Sequence, residues 1–197
     1  MLDTCCGLGY TAIAAARKAV GRPIKLNEPR GEEGSGSRRA SETVIVAGNN
    51  NVPGNADSKE SVGSTGSVTT IEYDMASLEM CAHNPWSRPL FDGSLPITVW
   101  HGDSCQGIRT FPDRSFNVVI HDPPARALCR TDLYSVEFYN ELYRVLTRNG
   151  VLYHYIGNPD SKESGRLYSG IVSRLASAGF MRIERVPKAF GVVAYVS

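Results

Sequence analysis

The run Asp3-Thr4-Cys5-Cys6-Gly7-Leu8-Gly9-Tyr10-Thr11, leading into Ala12-Ile13-Ala14-Ala15-Ala16-Arg17-Lys18, decides the fold. It reads as a strand end, an acid, a glycine turn and a helix. A Gly-x-Gly turn lacks the Cβ atoms that keep a ligand away from the backbone. The helix behind it offers unpaired N–H groups in its first turn. Dinucleotide sites place a pyrophosphate on such a turn with the pattern Gly-x-Gly-x-x-Gly. Here Ala12 stands where the third glycine would be, and Asp3 sets a negative charge beside the loop. Both departures favour a ligand that carries a cation over one that brings a phosphate. Asp3, Cys5, Gly7 and Gly9 are the binding candidates of this stretch.

Two later strands extend the reading. Val68-Thr69-Thr70-Ile71-Glu72 is β-branched and ends in an acid. An acid at the end of the second strand of such a fold hydrogen-bonds ribose hydroxyls, which makes Glu72 the ribose candidate. Asp74 reads instead as the N-cap of the helix Met75 to His83, a position that Asp favours. Phe116-Asn117-Val118-Val119-Ile120-His121 is an apolar strand closed by Asp122-Pro123-Pro124. Proline cannot continue a buried ladder, and two fixed φ angles make a stiff edge. That edge falls at the carboxyl ends of the strands, where open α/β sheets bind ligands. Asp103, after the strand Ile97 to Trp100, is a candidate both for a ligand contact and for the N-cap of Ser104-Cys105-Gln106-Gly107-Ile108.

Strand and helix alternate through the rest of the chain, which argues a doubly wound parallel sheet with helices on both faces. Helices are expected from Thr11 to Val20, Ser135 to Leu146 (ended by Asn149-Gly150) and Leu167 to Ala178. Strands are expected over Val151 to Ile156, Met181 to Val186 and Val192 to Val196, the last two forming a hairpin that turns the final strand antiparallel. Gly21 to Ser67 is different material, rich in Gly, Ser, Asn and charge. It cannot bury enough apolar surface to offset its ordering entropy, so 21–67 reads as a disordered insertion in a single domain spanning 1–197. Within it only Thr43 to Ala47 has strand character, and Arg38-Arg39-Ala40-Ser41 has the form of a phosphorylation site.

These runs resemble the class I S-adenosylmethionine-dependent methyltransferases, and more narrowly an archaeal group of predicted methyltransferases labelled spermine synthase-like. Asp3 to Gly9, Glu72, Gly102-Asp103, Asn84-Pro85-Trp86-Ser87-Arg88, His121-Asp122-Pro123-Pro124, Glu137 to Leu146 and His154-Tyr155-Ile156-Gly157 carry the likeness. It implies a seven-stranded Rossmann-like sheet. It also implies S-adenosyl-L-methionine as cofactor, with its methionine end near Asp3 and its adenine facing Asp103 and Ser104. Asp122, Pro123 and Pro124 become the catalytic edge that holds an acceptor amine, although Ala125 stands where related enzymes carry an aromatic. Trp86, Arg88 and Arg126 become substrate contacts. The family also carries more chain before the glycine loop, so the first strand reads as truncated, as in a fragment, a shortened gene model or a degenerate relative.

Composition bounds the rest. The 197 residues carry 21 Lys and Arg against 20 Asp and Glu. That balance shows no basic excess of the kind nucleic-acid binders carry. No apolar run approaches the ~20 residues that span a bilayer, and no secretion signal opens the chain. The expectation is an intracellular, cytoplasmic protein without a membrane partner. The five cysteines have neither disulfide nor zinc spacing. They read as small buried residues and not as nucleophiles, and no metal is expected. His121 and His154 are candidates for a general base, set against a packing role. Three readings of function stand: methyl transfer to an unidentified small molecule, RNA or protein; aminopropyl transfer; and a non-catalytic domain that binds the cofactor or RNA. The oligomeric state stays open.

Overall fold

The computed structural model describes residues 1–20, 46–47, 66–124, 131–157 and 162–197. Its strands are β1 (Leu2–Asp3), β2 (Val46–Ala47), β3 (Val68–Glu72), β4 (Ile97–His101), β5 (Phe116–His121), β6 (Leu146–Tyr155), β7 (Met181–Val186) and β8 (Gly191–Tyr195). They form one sheet in the order β2-β4-β3-β1-β5-β6-β8-β7. Pairing is parallel from β2 through β6 in that order. β8 runs antiparallel to both β6 and β7, as the closing hairpin requires. Seven of these strands make the expected Rossmann-like sheet. β2 adds an edge strand inside the segment read as an insertion, where Val46 and Ala47 pair with Trp100 and His101. Ser67, the last residue of that segment, is placed beside β1 and accepts from the Met1 ammonium at 2.8 Å. The expectation of disorder over 21–45 and 48–65, and the Arg38 to Ser41 motif, lie outside the described residues.

The helices are α1 (Tyr10–Ala19), α2 (Met75–His83), α3 (Ser104–Thr110), α4 (Val136–Val145) and α5 (Lys162–Ser177). Successive side chains of a strand face opposite sides of a sheet, and the core divides accordingly. Val68 and Val99 pack with Ala12, Ile13 and Ala16 of α1, with Leu78 and Cys81 of α2, and with Leu90. Ile71 and Val119 pack on the other side with Phe138, Tyr139, Leu142 and Val145 of α4 and with Ile171 and Leu175 of α5. Among the described residues, no helix is long and apolar enough to cross a membrane.

β1 is only two residues long and lies in the middle of this sheet. Leu2 pairs with Thr69 on one side and Val119 on the other, and Leu2 is fully buried. The Thr69 N–H donates to the Met1 carbonyl and the Thr4 N–H to the Ile120 carbonyl. The chain leaves β1 toward β3 and β4 on one side, then returns to β5 and β6 on the other. The strand order therefore reverses at β1, and a crevice opens beyond the carboxyl ends of β1, β3 and β5.

Local signals set several boundaries. Asp74 caps α2 by accepting from the Ala76 N–H at 3.0 Å and from the Ser77 hydroxyl at 3.2 Å. Ser135 caps α4 by accepting from the Phe138 N–H. One boundary differs from the sequence reading. α4 stops at Val145, and Leu146 is already extended and paired with Phe116. Asn149-Gly150 therefore does not end the helix. It belongs to a bulge in β6, with Asn149 at φ 59°, where the register shifts between Phe116 and Val118. The same left-handed preference that closes helices serves bulges equally well.

Candidate functional site

At the carboxyl ends of the central strands lies a cavity of about 760 Å³. The Thr4 to Thr11 loop, Glu72 to Asp74, Asp103 to Cys105, Asp122 to Pro124, Leu133 and Tyr155 line it. The glycine loop is held from several sides. The Cys6 N–H donates to the Ile71 carbonyl, and the Gly7 N–H donates to Glu72 Oε2 at 2.9 Å. From behind, the Cys81 thiol donates to the Gly7 carbonyl at 3.3 Å and the Ser87 hydroxyl to the Leu8 carbonyl at 2.8 Å.

The two glycines serve different ends. Gly7 (φ 50°) lines the cavity, and a Cβ there would meet nothing within 4 Å. It leaves the backbone open to a ligand. Gly9 (φ 74°) is the N-cap of α1, and a Cβ there would collide with the buried Leu90 side chain. Gly9 also lines the cavity, but its left-handed backbone and its packing against Leu90 already require glycine there.

Asp3 does not line the cavity, contrary to the expected direct contact with a ligand. It is 1% exposed, and it accepts from the Thr70 hydroxyl at 3.2 Å and the Cys5 N–H at 3.3 Å. Burial raises its carboxyl to about 7, against the pull of those two bonds and with added push from Asp122 and Glu72. Glu72 does line the cavity. Its two oxygens accept from the Gly7 and Asp74 N–H groups, and a carboxylate keeps further lone pairs for other donors. Asp103 caps α3 through the Cys105 N–H at 2.8 Å while facing the cavity, so its cap role and its place in the site coincide. Ser104 gives its hydroxyl to the Thr4 carbonyl at 2.6 Å.

Asp122 and the two prolines form one wall, and desolvation raises the Asp122 carboxyl above its ordinary range. His121, just behind, is fully buried. Its Nε2 faces the Leu133 carbonyl at 2.9 Å, which can only accept, so Nε2 carries the proton. Its Nδ1 then accepts from the Thr4 hydroxyl at 2.7 Å. His154 has the opposite tautomer: Nδ1–H donates to the Tyr155 carbonyl, and Nε2 accepts from the Tyr139 hydroxyl at 2.9 Å. Burial lowers the His121 pKa to about 4 and pushes His154 down as well. Both rings are neutral packing and bracing groups, which removes the general-base reading. His121 thereby joins Thr4, at the start of the glycine loop, to Leu133.

Trp86 and Arg88 do not line the cavity. Trp86 is 47% exposed, and its N–H donates to Asn84, whose amide in turn donates to the Tyr10 hydroxyl. The working residue of that run is Ser87, which supports the loop. Arg126 and Cys129 lie outside the described residues. Cys6 and Cys81 are buried as expected, whereas Cys5 and Cys105 are only partly so. Desolvation pushes the Cys6 thiol up to about 12 and the Cys5 thiol higher still, far from a nucleophilic thiolate.

Glu72, Asp74, Asp103 and Asp122 line the cavity, and no Lys, Arg or His does among the described residues. Such a lining suits a ligand carrying positive charge. With the open backbone at Gly7, that set of acceptors fits S-adenosylmethionine, which bears a sulfonium and an ammonium group.

No family model matches the chain. It is 38% identical over 195 residues to an uncharacterized protein of Methanocaldococcus jannaschii, MJ1233, covering 98% of this chain and 51% of that protein. It is 31% identical over 116 residues to Polyamine aminopropyltransferase 2 of Streptomyces coelicolor, covering 57% of this chain and 21% of that one. The chain thus spans about half the length of the first relative and less of the second. A SAM-dependent methyltransferase from Aquifex aeolicus superposes with a TM-score of 0.56 at 16% identity, covering 100% of this chain and 81% of its own. Spermidine synthase from Thermotoga maritima superposes at 0.53 and 17% identity, over 66% of this chain and 45% of its own. The fold is that of the SAM-dependent methyltransferases, which spermidine synthases share.

Two expectations follow from this geometry. Gly9→Ala combines a left-handed penalty with overpacking against Leu90 and should cost about 2–5 kcal/mol. Gly7→Ala should cost only about 1–2 kcal/mol. Urea unfolding of the two variants separates them, and equal losses would show that packing does not distinguish the positions. For Asp3, the folded pKa of about 7 exceeds the ordinary 3.8. Between those values the folded state holds more protons than the unfolded one, so this group's contribution falls as pH rises through the window. Asp3→Asn removes that dependence. Its stability relative to wild type should climb from about pH 4 to about pH 8, and a flat difference would contradict the burial argument.

Proposed function

We propose that the protein transfers the methyl group of S-adenosylmethionine to an acceptor held at the Asp122-Pro123-Pro124 edge. The observation that carries this reading is the convergence of the open glycine loop, Glu72 and Asp122 on one carboxylate-lined cavity at the sheet's switch point. When bound, S-adenosylmethionine supplies an electrophilic methyl carbon on a positively charged sulfur.

The chain's own groups account for binding and orientation. Glu72 fixes the loop through Gly7 and keeps lone pairs for ribose hydroxyls. The cavity carboxylates favour the cofactor's positive charge. Asp103 stands at the place that the family resemblance gives to the adenine amino group. Asp122 accepts a hydrogen bond from the acceptor, and the prolines keep that carboxyl from swinging away. Methyl transfer is an in-line displacement, so a fixed acceptor supplies much of the acceleration. His121 and His154 take no part as bases, because both ring nitrogens of each are committed.

Aminopropyl transfer is the second reading, favoured by the likeness to Polyamine aminopropyltransferase 2. A linear polyamine calls for several carboxylates at the acceptor end. There, beside Pro123, Pro124, Leu133 and Tyr155, the described residues present Asp122 alone. A binding domain without catalysis is the third reading, and it predicts cofactor affinity without product.

Calorimetry with S-adenosylhomocysteine should show binding that Glu72→Gln weakens about tenfold, the loss of a charged hydrogen-bond partner. With isotope-labelled cofactor and a small-molecule cell extract, mass analysis should find products gaining a methyl group. Products gaining an aminopropyl group would move the assignment to the second reading. Asp122→Ala should keep cofactor affinity within a few-fold and lower turnover on the order of 100-fold or more, since an orienting contact acts on the transition state. Full turnover in that variant would refute the role of Asp122.

A further inference from the structure

The cavity has two chemically distinct ends. One carries the glycine loop, Glu72, Asp74 and Asp103, with Tyr10 and Tyr73 among them. The other holds Asp122 among Pro123, Pro124, Leu133 and Tyr155. Tyr155 reaches it from a different strand. His121 of β5 pairs with His154 of β6, so the next residues, Asp122 and Tyr155, leave adjacent parallel strand ends side by side. Tyr155 remains 37% exposed although it lies at the end of the buried β6. Tyr153, two residues earlier on the same face, gives its hydroxyl to the Ala189 carbonyl, and burial, with the nearby Asp122 carboxylate, raises its pKa. The Tyr155 backbone is anchored from below, because its carbonyl accepts from the buried His154. The ring is therefore mounted on a rigid element next to the Asp122 carboxylate.

An aromatic face beside a carboxylate, in a wall whose other described residues are Pro and Leu, has a definite preference. The ring face attracts a cation, the carboxylate accepts N–H bonds, and the apolar wall takes a flat or hydrocarbon body. A carboxylate or phosphate ligand would meet only repulsion from Asp122 among the described lining residues.

We infer that Tyr155 is a specificity-determining residue of the acceptor end, and that the acceptor is an amine carrying a planar or apolar body that rests on the Tyr155 ring while its nitrogen faces Asp122. The inference rests on the proposed methyl transfer for the word acceptor, while recognition of an amine by Tyr155 stands apart from it.

Benzylamine is a suitable probe, with phenylacetate as its anionic counterpart and n-butylamine as an amine without a ring. Each is titrated by calorimetry into the purified chain, with and without S-adenosylhomocysteine. Benzylamine should bind more tightly than either counterpart. Tyr155→Ala should weaken it about 3- to 30-fold, the range of a cation on an aromatic face. Tyr155→Phe should stay within about twofold, since the ring and not the hydroxyl does the holding. Both variants should bind S-adenosylhomocysteine as the wild type does, a readout that a folding defect would spoil. Unchanged benzylamine affinity in Tyr155→Ala would overturn the inference. So would tighter binding of phenylacetate, or no benzylamine binding to a chain that binds S-adenosylhomocysteine. If S-adenosylhomocysteine fails to bind while benzylamine still depends on Tyr155, the methyl-transfer reading falls and the Tyr155 assignment stands.

Discussion

The hydrogen bond from the Gly7 N–H to the Glu72 carboxylate is the contact on which the site turns. β1 supplies Leu2 and Asp3 to the sheet, and neighbouring elements hold the loop that follows it. β3 gives the Ile71 carbonyl and the Glu72 carboxylate, α2 gives the Cys81 thiol, the turn after α2 gives the Ser87 hydroxyl, and β5 gives His121. A single carboxylate thus both orders the loop and faces the cavity. That economy explains why an acid at the end of β3 matters to the fold as much as to any ligand.

Electrostatics follow from the same crowding. Strand ends at a switch point gather acids from separate segments, here Asp3, Glu72, Asp103 and Asp122, within one small volume. Desolvation, with repulsion from Asp122 and Glu72, holds Asp3 near 7, and desolvation raises Asp122. Carboxylates so placed cost stability in the empty state and gain most from a cation, which is the usual trade at binding sites. The proposed cofactor brings that positive charge.

Much of this was legible in the sequence because it is local. The Gly-x-Gly turn before an alanine-rich helix, the acid closing a β-branched strand, the Asp74 cap and the proline stop after β5 each depend on a few neighbouring residues. What escaped depends on register between distant segments. Nothing near Asp3 says that Thr70 will close over it, and nothing near Gly9 announces Leu90. Trp86 and Arg88 attracted notice by residue type, yet the smaller Ser87 between them supports the loop. The complementary tautomers of His121 and His154 and the place of Tyr155 beside Asp122 appear only once β5 and β6 are paired. Asn149-Gly150 misled because a left-handed residue suits a bulge as well as a helix end.

The central claim is that the cavity over the Cys5 to Gly9 loop is a cofactor site organised by Glu72. A crystal structure of the chain grown with saturating S-adenosylhomocysteine tests it most directly. The account predicts ligand density against the Gly7 backbone, ribose hydroxyls on Glu72, and the sulfur directed toward Asp122. Ligand density elsewhere on the molecule, or a cavity left without ligand at saturation, would contradict it.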